Sequence, residues 1–362
     1  MISVIGAGPA GCFYSSKEKH DNVHIFEEHK VVGSPVSCTG ILTDSVKQFV
    51  KIPEELVISK IEKFKIIAPN GKSMYIDLKK VNMVLDRAGF DKYLAKCAID
   101  NGAKIHLNEK FVGYKKVGND YQLKTTSKTY QTSMIVGADG PNSPVAHAAG
   151  IFEKREFLMG HQARARYPKL EEGVTEIHLN KGEFSWIVPE NNHIARVGVI
   201  GKNNAKLKSD YKALLGKSKI LEDQSGIIPL YNPKQKIRKG KEDIFLIGDA
   251  ATHVKATTYG GIIYGLIAGN YLAENKETYE KNINKKMAKD LWISLKMREM
   301  MNSMNEKQCN DMIDIFQKKS NNEILATNDR DFPSKFIVQL LMKEAKLWKL
   351  GFGIFKNKMI GK

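Results

Sequence analysis

The chain has 362 residues, 42% of them hydrophobic, enough for a substantial core in two domains, or in one domain with large insertions, and this excludes a small stapled fold. Its four cysteines, Cys12, Cys38, Cys97 and Cys309, form no C-x-x-C pair, which argues against a disulfide framework or a thiolate zinc site; no metal is assigned, and a reducing, cytoplasmic setting fits. A formal charge of +17 favours polyanionic partners such as nucleic acid or an anionic membrane, but no nucleic-acid-binding motif is present, and a generally basic surface of biased composition also accounts for it.

Met1 leads almost at once into an apolar strand and a glycine loop, leaving no room for a cleavable signal, and no apolar run reaches the roughly 18 residues of a membrane span. A soluble or peripheral protein is expected. In ISVIGAGPAG the strand Ile2 to Ile5 precedes Gly6-x-Gly8-x-x-Gly11, with Ala10 inside the loop, and a helix-like stretch follows. Gly6 permits the tight turn, Gly8 lets the backbone approach a pyrophosphate, and Gly11 lets helix and strand pack closely. The helix N-terminus then offers unpaired N–H groups to phosphate. A second strand, Val23 to Phe26, ends in Glu27, placed to accept hydrogen bonds from ribose hydroxyls, with Glu28 the alternative one residue on. By itself the loop suits FAD or NAD, and a βαβ turn without nucleotide has the same pattern.

Further along, KIEKFKIIAP, SMYIDL, TEIHLN and HIARVGVI alternate as antiparallel strands do, which predicts an inserted sheet over 55–85 and 151–239 as a substrate domain. Between its two parts, MVLDRAGFDKYLAKCAIDNGAKI predicts a helix with Phe90, Leu94, Cys97 and Ala98 on one face, turning at Gly102 into a strand. SMIVGADGPNSPVA adds an apolar strand ending at Ala138-Asp139-Gly140. In GEFSWIVPENN, Phe184, Trp186 and Val188 alternate and project from one sheet face, either as ordinary core or as the lining of an apolar site. DIFLIGDAATHVKATTYGGIIYGLIAGNYLA reads as strand, small-residue loop and helix; the loop can carry Asp249 to a ribityl or pyrophosphate group, and the helix N-terminus near Gly260 can face a flavin ring or phosphate. After residue 275 the pattern is helical and lysine-rich. In the last stretch Phe336, Ile337, Leu340, Leu341, Leu347 and Trp348 recur at helical spacing beside Lys343, Lys346, Lys349, Lys356 and Lys358, a pattern shared by a helix packed on its own domain and one lying on anionic lipid.

The four segments around Gly6, Arg87, Asp139 and Asp249 stand in an order that resembles the FAD-dependent monooxygenase and reductase superfamily. The resemblance implies an α/β fold: a glutathione-reductase-like FAD-binding Rossmann domain (1–54, 86–150 and 240–275), the inserted antiparallel sheet, and a C-terminal helical region (276–362). It also implies FAD contacts from Arg87 to the pyrophosphate, from the Asp139-Gly140 motif, from Gly248 and Asp249, and from Gly260, Gly261 and Ile262. A solvated helix-start arginine is the plainer account of Arg87. Within the superfamily the chain looks most like the geranylgeranyl reductases. VVGSPVSCTGIL (31–42) is similar to their G-x-x-V-x-C-x-G loop, which puts Cys38 and Gly40 beside flavin and substrate; GEFSWIVPENN resembles their aromatic-x-W-x-x-P motif, with Phe184, Trp186 and Pro189 as lining; GDAATHVKATTYGGI is the third likeness. Two features depart from the superfamily's patterns. Ala256 and Tyr259 replace the usual proline and three-glycine run, and Tyr259 would narrow the space by the flavin. Ala146 stands near the point where many aromatic hydroxylases carry an arginine, which counts against a monooxygenase.

The implied activity is FAD-dependent saturation of C=C bonds in geranylgeranyl chains of archaeal-type membrane lipid precursors. The candidate proton donors are Cys38 and His253, although a free cysteine is more often a small packing residue. His161, Arg164 and Arg166 are candidates for holding an anionic headgroup. Electrons would come from ferredoxin, a deazaflavin or NAD(P)H; the lack of a second Rossmann fingerprint favours a protein or deazaflavin donor. The expected location is cytoplasmic, or peripheral on the inner membrane face, with no nucleic-acid partner. The competing readings are a monooxygenase or halogenase acting on a small aromatic compound, and a non-catalytic flavoprotein that binds a lipid or redox partner.

Overall fold

A strand with no solvated face is stable only inside a covered sheet, and Ile2–Ile5, Met134–Gly137 and Ile244–Leu246 are buried along their whole length. The computed structural model, which describes residues 1–180, 183–202, 204–344 and 347, places them together. They form a five-stranded sheet in the order Ile244–Leu246, Met134–Gly137, Ile2–Ile5, Val23–Phe26, Lys104–His106, every neighbouring pair parallel. The order turns back on itself beside Ile2–Ile5, the arrangement of a Rossmann-like sheet. Helices Pro9–Lys17, Arg87–Asp100 and Ile262–Glu274 accompany it, and a three-stranded antiparallel sheet spans Phe111–Thr132. The fold class is mixed α/β.

The chain divides into two compact units: 1–36, 86–157 and 228–292 form the first, and 37–85, 158–227 and 293–362 the second. These boundaries differ from the sequence-based ones, for identifiable reasons. Residues 37–54 go with the second unit, where Ile41–Leu42 pairs with Met83–Val84 and the N–H of Leu85 donates to the Gly40 carbonyl. The C-terminal helices are not a region apart. Met304, Cys309, Met312 and Ile313 share a core cluster with Ala68, Met74 and Leu179 of the second unit, whereas residues 276–292 stay with the first, where the Tyr279 hydroxyl donates to the Leu246 carbonyl.

The second unit holds an eight-stranded sheet in the order Lys219–Pro229, Phe157–Arg166, Ile194–Gly201, Glu183–Pro189, Val174–Asn180, Val57–Ile67, Ser73–Leu85, Ile41–Leu42. It is not purely antiparallel, as expected, because Val174–Asn180 runs parallel to Val57–Ile67. Those strands come from separate stretches of chain with no hairpin between them, so nothing local forces opposite directions. One face, carrying Ala163, Ala165, Ile187, Ala195 and Val197, packs with Tyr211, Leu214 and Leu215 of helix Asn204–Leu215. Alternation puts Gln162, Arg164, Trp186, Val188 and Arg196 on the other face.

Among the described residues no helix is long and apolar enough to cross a membrane. Phe336, Leu340 and Leu347 are buried in a cluster with Ile315 and Ile324, so the described part of the last amphipathic stretch packs on its own unit. Trp348 and Lys346, Lys349, Lys356 and Lys358 lie outside the described residues.

Candidate functional site

In an open parallel sheet, ligands bind beyond the carboxyl ends of the strands. At that edge of the first unit stand Gly6, Glu27, the Ala138–Gly140 turn and Gly248, each following its own strand. Steric demand explains the glycines. Gly6 has φ +101°, and a Cβ there would lie 2.4 Å from the Ala138 carbonyl oxygen; a Cβ on Gly11 would lie 2.2 Å from the Gly6 oxygen. Gly8 differs, since a Cβ would meet nothing within 4 Å, so its backbone borders open space. Ala10 seats against both Gly248 and Gly265, which holds helix Ile262–Glu274 on helix Pro9–Lys17 and so brings the Gly248–Asp249 loop to the Gly8 loop. Neither helix start, at Gly8 or at Gly261, has a side-chain cap, so the N–H groups of Ile262 and its successors are not masked by one.

Glu27 ties the loop together: Oε2 accepts from the Ala7 N–H at 2.8 Å and Oε1 from the His29 N–H at 2.9 Å. Asp139 does comparable work in the next loop, accepting from the Ser143 hydroxyl at 2.7 Å and the Val145 N–H at 2.8 Å, and burial raises its pKa to about 6. Gly140 follows with φ +78°. Burial also raises Asp249 to about 6, against the opposing fields of Arg87 and Arg155, and a Cβ on Gly261 would stand 2.7 Å from its Oδ1. Arg87 is buried at the head of its helix and donates to both Asp91 oxygens at 2.9 and 3.1 Å. Gly260 pairs with Lys255 across the loop, Tyr259 is buried there at φ +56°, and His253 is buried, its pKa lowered to about 3 by desolvation.

Arg155 escaped the sequence reading. It is buried, with its guanidinium 4.2 Å over the Phe152 ring, and donates to the carbonyls of Pro141 at 3.1 Å, Asp249 at 3.3 Å and Ala250 at 3.1 Å, thereby joining the middle loop to the GDAA loop. Burial lowers its pKa to about 10. Its acceptors come from two remote segments, so no local pattern marks it.

Cys38 and Gly40 belong to the second unit, unlike the other cofactor-binding candidates. Cys38 is half-buried and its Sγ accepts from the Gly40 N–H at 3.4 Å. Phe184 and Trp186 lie together on the sheet face, ring centroids 5.8 Å apart, with the Arg298 guanidinium 5.3 Å over Phe184. Pro189 shares the register of Ile187 and Ala195 and so falls on the opposite, helix-covered side. The headgroup candidates separate likewise. His161 faces Tyr211, 6.0 Å between ring centroids, while Arg164 and Arg166 alternate onto the Trp186 side. Arg164 is committed there to Glu190 at 2.6 Å, and Arg196 donates to the same carboxylate at 2.9 Å.

No family model matches the chain. Among curated proteins, a digeranylgeranylglycerophospholipid reductase of Methanococcus vannielii is 26% identical over 351 residues, covering 86% of this chain and 89% of that one. Among solved structures, a geranylgeranyl bacteriochlorophyll reductase-like protein from Thermoplasma acidophilum superposes with a TM-score of 0.84 at 20% identity, over 96% of this chain and 98% of that one. A halogenase solved in complex with FAD has the same fold more distantly, with a TM-score of 0.61 at 14% identity over 89% of this chain and 78% of that one. Sequence similarity thus extends over most of a digeranylgeranylglycerophospholipid reductase, and the fold is matched nearly end to end by a geranylgeranyl bacteriochlorophyll reductase-like protein.

Proposed function

We propose that the protein is an FAD-dependent reductase that saturates C=C bonds of geranylgeranyl chains, with archaeal-type membrane lipid precursors as substrates and a first unit of the glutathione-reductase type. The observation that carries the cofactor assignment is the gathering of the Gly6, Glu27, Asp139 and Gly248 loops at one carboxyl edge, around a Gly8 backbone that borders open space. The residues fit a dinucleotide: Gly8 and the uncapped helix starts suit a pyrophosphate, and Glu27 suits ribose hydroxyls. Arg87 supplies positive charge beside Asp249, and Arg155 holds the loops on which the group would rest.

When bound and reduced, FAD supplies the hydride for one alkene carbon. An isolated alkene develops no oxyanion, so the protein's part is to orient the chain, exclude water and deliver a proton to the other carbon. Phe184 and Trp186 form the apolar surface for the chain. Cys38, half-buried, is the proposed proton source, since a thiol carries a transferable proton, whereas His253 is neutral at physiological pH. Arg166, exposed on the Trp186 side of the sheet, is the available cation for an anionic headgroup. Electrons come from an external ferredoxin, deazaflavin or nicotinamide, and a peripheral encounter with anionic membrane suits both the substrate and the +17 charge.

The test is anaerobic. The flavin is reduced chemically, a geranylgeranylated glycerophospholipid is added, and flavin reoxidation is followed with product mass. Reoxidation with a gain of two hydrogens per turnover is expected. Flavin that stays reduced with this lipid and with geranylgeranyl diphosphate rejects the substrate class; oxygen-dependent turnover of a small aromatic compound would then favour a monooxygenase or halogenase, and no turnover at all a binding protein.

A further inference from the structure

Three neighbouring strands of the second unit contribute one row of residues to the same face. The register pairs Gln162 with Gly198 and Gly198 with Trp186. The middle position has no side chain, and a Cβ there would stand 2.3 to 2.8 Å from Cζ2, Cε2 and Nε1 of the indole. The glycine therefore leaves a trough in which the indole lies across the central strand. Its Nε1–H reaches Gln162 Oε1 at 3.0 Å, spanning two strand spacings, about 10 Å of sheet.

That same oxygen accepts from the Thr39 hydroxyl at 2.6 Å, and the Gln162 amide nitrogen donates to Gln224 Oε1 at 2.7 Å. Two donors on Oε1 and one acceptor at Nε2 determine which way round the buried amide lies. Thr39 directly follows Cys38. Its carbonyl accepts from the Arg196 guanidinium, which also donates to the Leu85 carbonyl at 3.0 Å and is itself held by Glu190. On the other side of the loop Ser37 lies so close to Gly226 that a Cβ there would be 2.9 Å from the Ser37 Cβ. The Cys38 loop is thus moored to three strands, and one mooring is the atom that also sets the indole.

We infer that Gln162 is a positioning residue that couples the tilt of Trp186 to the placement of the Cys38 thiol, with Gly198 setting the depth at which the indole lies. The inference depends on the proposed function only for what Trp186 and Cys38 do to a prenyl chain; the coupling is a property of the second unit alone.

The experiment uses holoprotein with ¹⁵N-labelled tryptophan, the Trp186 indole resonance being identified by its loss in Trp186→Phe. The alkylation rate of Cys38 by iodoacetamide is read by peptide mass, with Cys12, Cys97 and Cys309 as internal comparisons. Gln162→Leu should move the indole N–H resonance upfield and raise Cys38 alkylation about tenfold, the equivalent of one lost hydrogen bond. Gln162→Glu, which keeps an acceptor oxygen, should restore both. Thr39→Val removes only the loop's bond, yet it should alter both readouts because the acceptor is shared. If Gln162→Leu does not fold, Thr39→Val carries the test. A variant that moves one readout and leaves the other unchanged, or moves neither, overturns the coupling. A wild-type protein that reduces no prenyl lipid would overturn the proposed function and leave both of these readouts valid.

Discussion

Replacing His253 by glutamine tests directly how the loop around Asp249 is built. The imidazole is 2% exposed, its Nδ1 has no hydrogen-bond partner among the described residues, and desolvation lowers its pKa to about 3. Above pH 6.5 the ring is neutral in both the folded and the unfolded chain, and its stabilising contribution is fully present. Below that, only the unfolded chain takes up the proton, so stability falls as pH drops from the unfolded value near 6.5 toward the folded value near 3. At pH 5 the loss amounts to about 2 kcal/mol, one and a half pH units at about 1.36 kcal/mol each. That figure is insensitive to the folded pKa so long as it stays well below 5. The assay is urea unfolding of the wild-type protein and His253→Gln at pH 7 and pH 5, where the difference between their pH effects isolates this group from every carboxylate. His253→Gln should lose about 2 kcal/mol less than wild type between the two pH values. Equal losses would refute the argument and mean that the ring takes up its proton in place. The chemistry follows the same logic: a neutral imidazole at pH 7 is a poor acid, so His253→Gln should not remove any titration from the pH profile of alkene reduction.

The other predictions concern the proposed cofactor and substrate surfaces. Gly11→Ala should destabilise the first unit by about 1 to 3 kcal/mol and yield protein that loses flavin on gel filtration, because the added Cβ would meet a backbone oxygen at 2.2 Å, which cannot rotate aside. Glu27→Ala should weaken FAD binding at least about tenfold in a fluorescence-quenching titration, since the carboxylate both orders the Ala7 N–H and suits the ribose; unchanged affinity would remove it from the site. Arg155→Ala leaves the Pro141 and Ala250 carbonyls without their shared donor, so FAD release should accelerate and unfolding occur at lower urea, with Arg155→Lys recovering only part because it lacks the planar fork. Trp186→Ala should raise KM for a prenyl lipid more than it lowers kcat, with the reverse split pointing to a part in the chemical step.

What could be read from residues alone was whatever a short stretch decides by its own sterics. The Gly6-x-Gly8-x-x-Gly11 turn, the acidic end of the second strand and the strand–loop–helix around Asp249 each depend on a few neighbouring residues, and each has the local form its spacing demands. The alternation of Phe184, Trp186 and Val188 is equally local, and it would have set Pro189 on the other face had it been carried one residue further. Conserving direction between strands is not a local matter: Val174–Asn180 runs parallel to Val57–Ile67 because no turn connects them, and residues 37–54 join the second unit through pairing with Met83–Val84. Arg155 and Gln162 were invisible for the same reason, since their partners lie on segments that only the packed chain brings within hydrogen-bond reach. The burial that makes His253 neutral also belongs to the whole first unit, because desolvation sums over every group that excludes water from the ring. Periodicity and turn chemistry therefore specified the elements and the loops that can meet a dinucleotide, while pairing, burial and shared hydrogen bonds, which depend on residues far apart in the chain, were decided by tertiary structure.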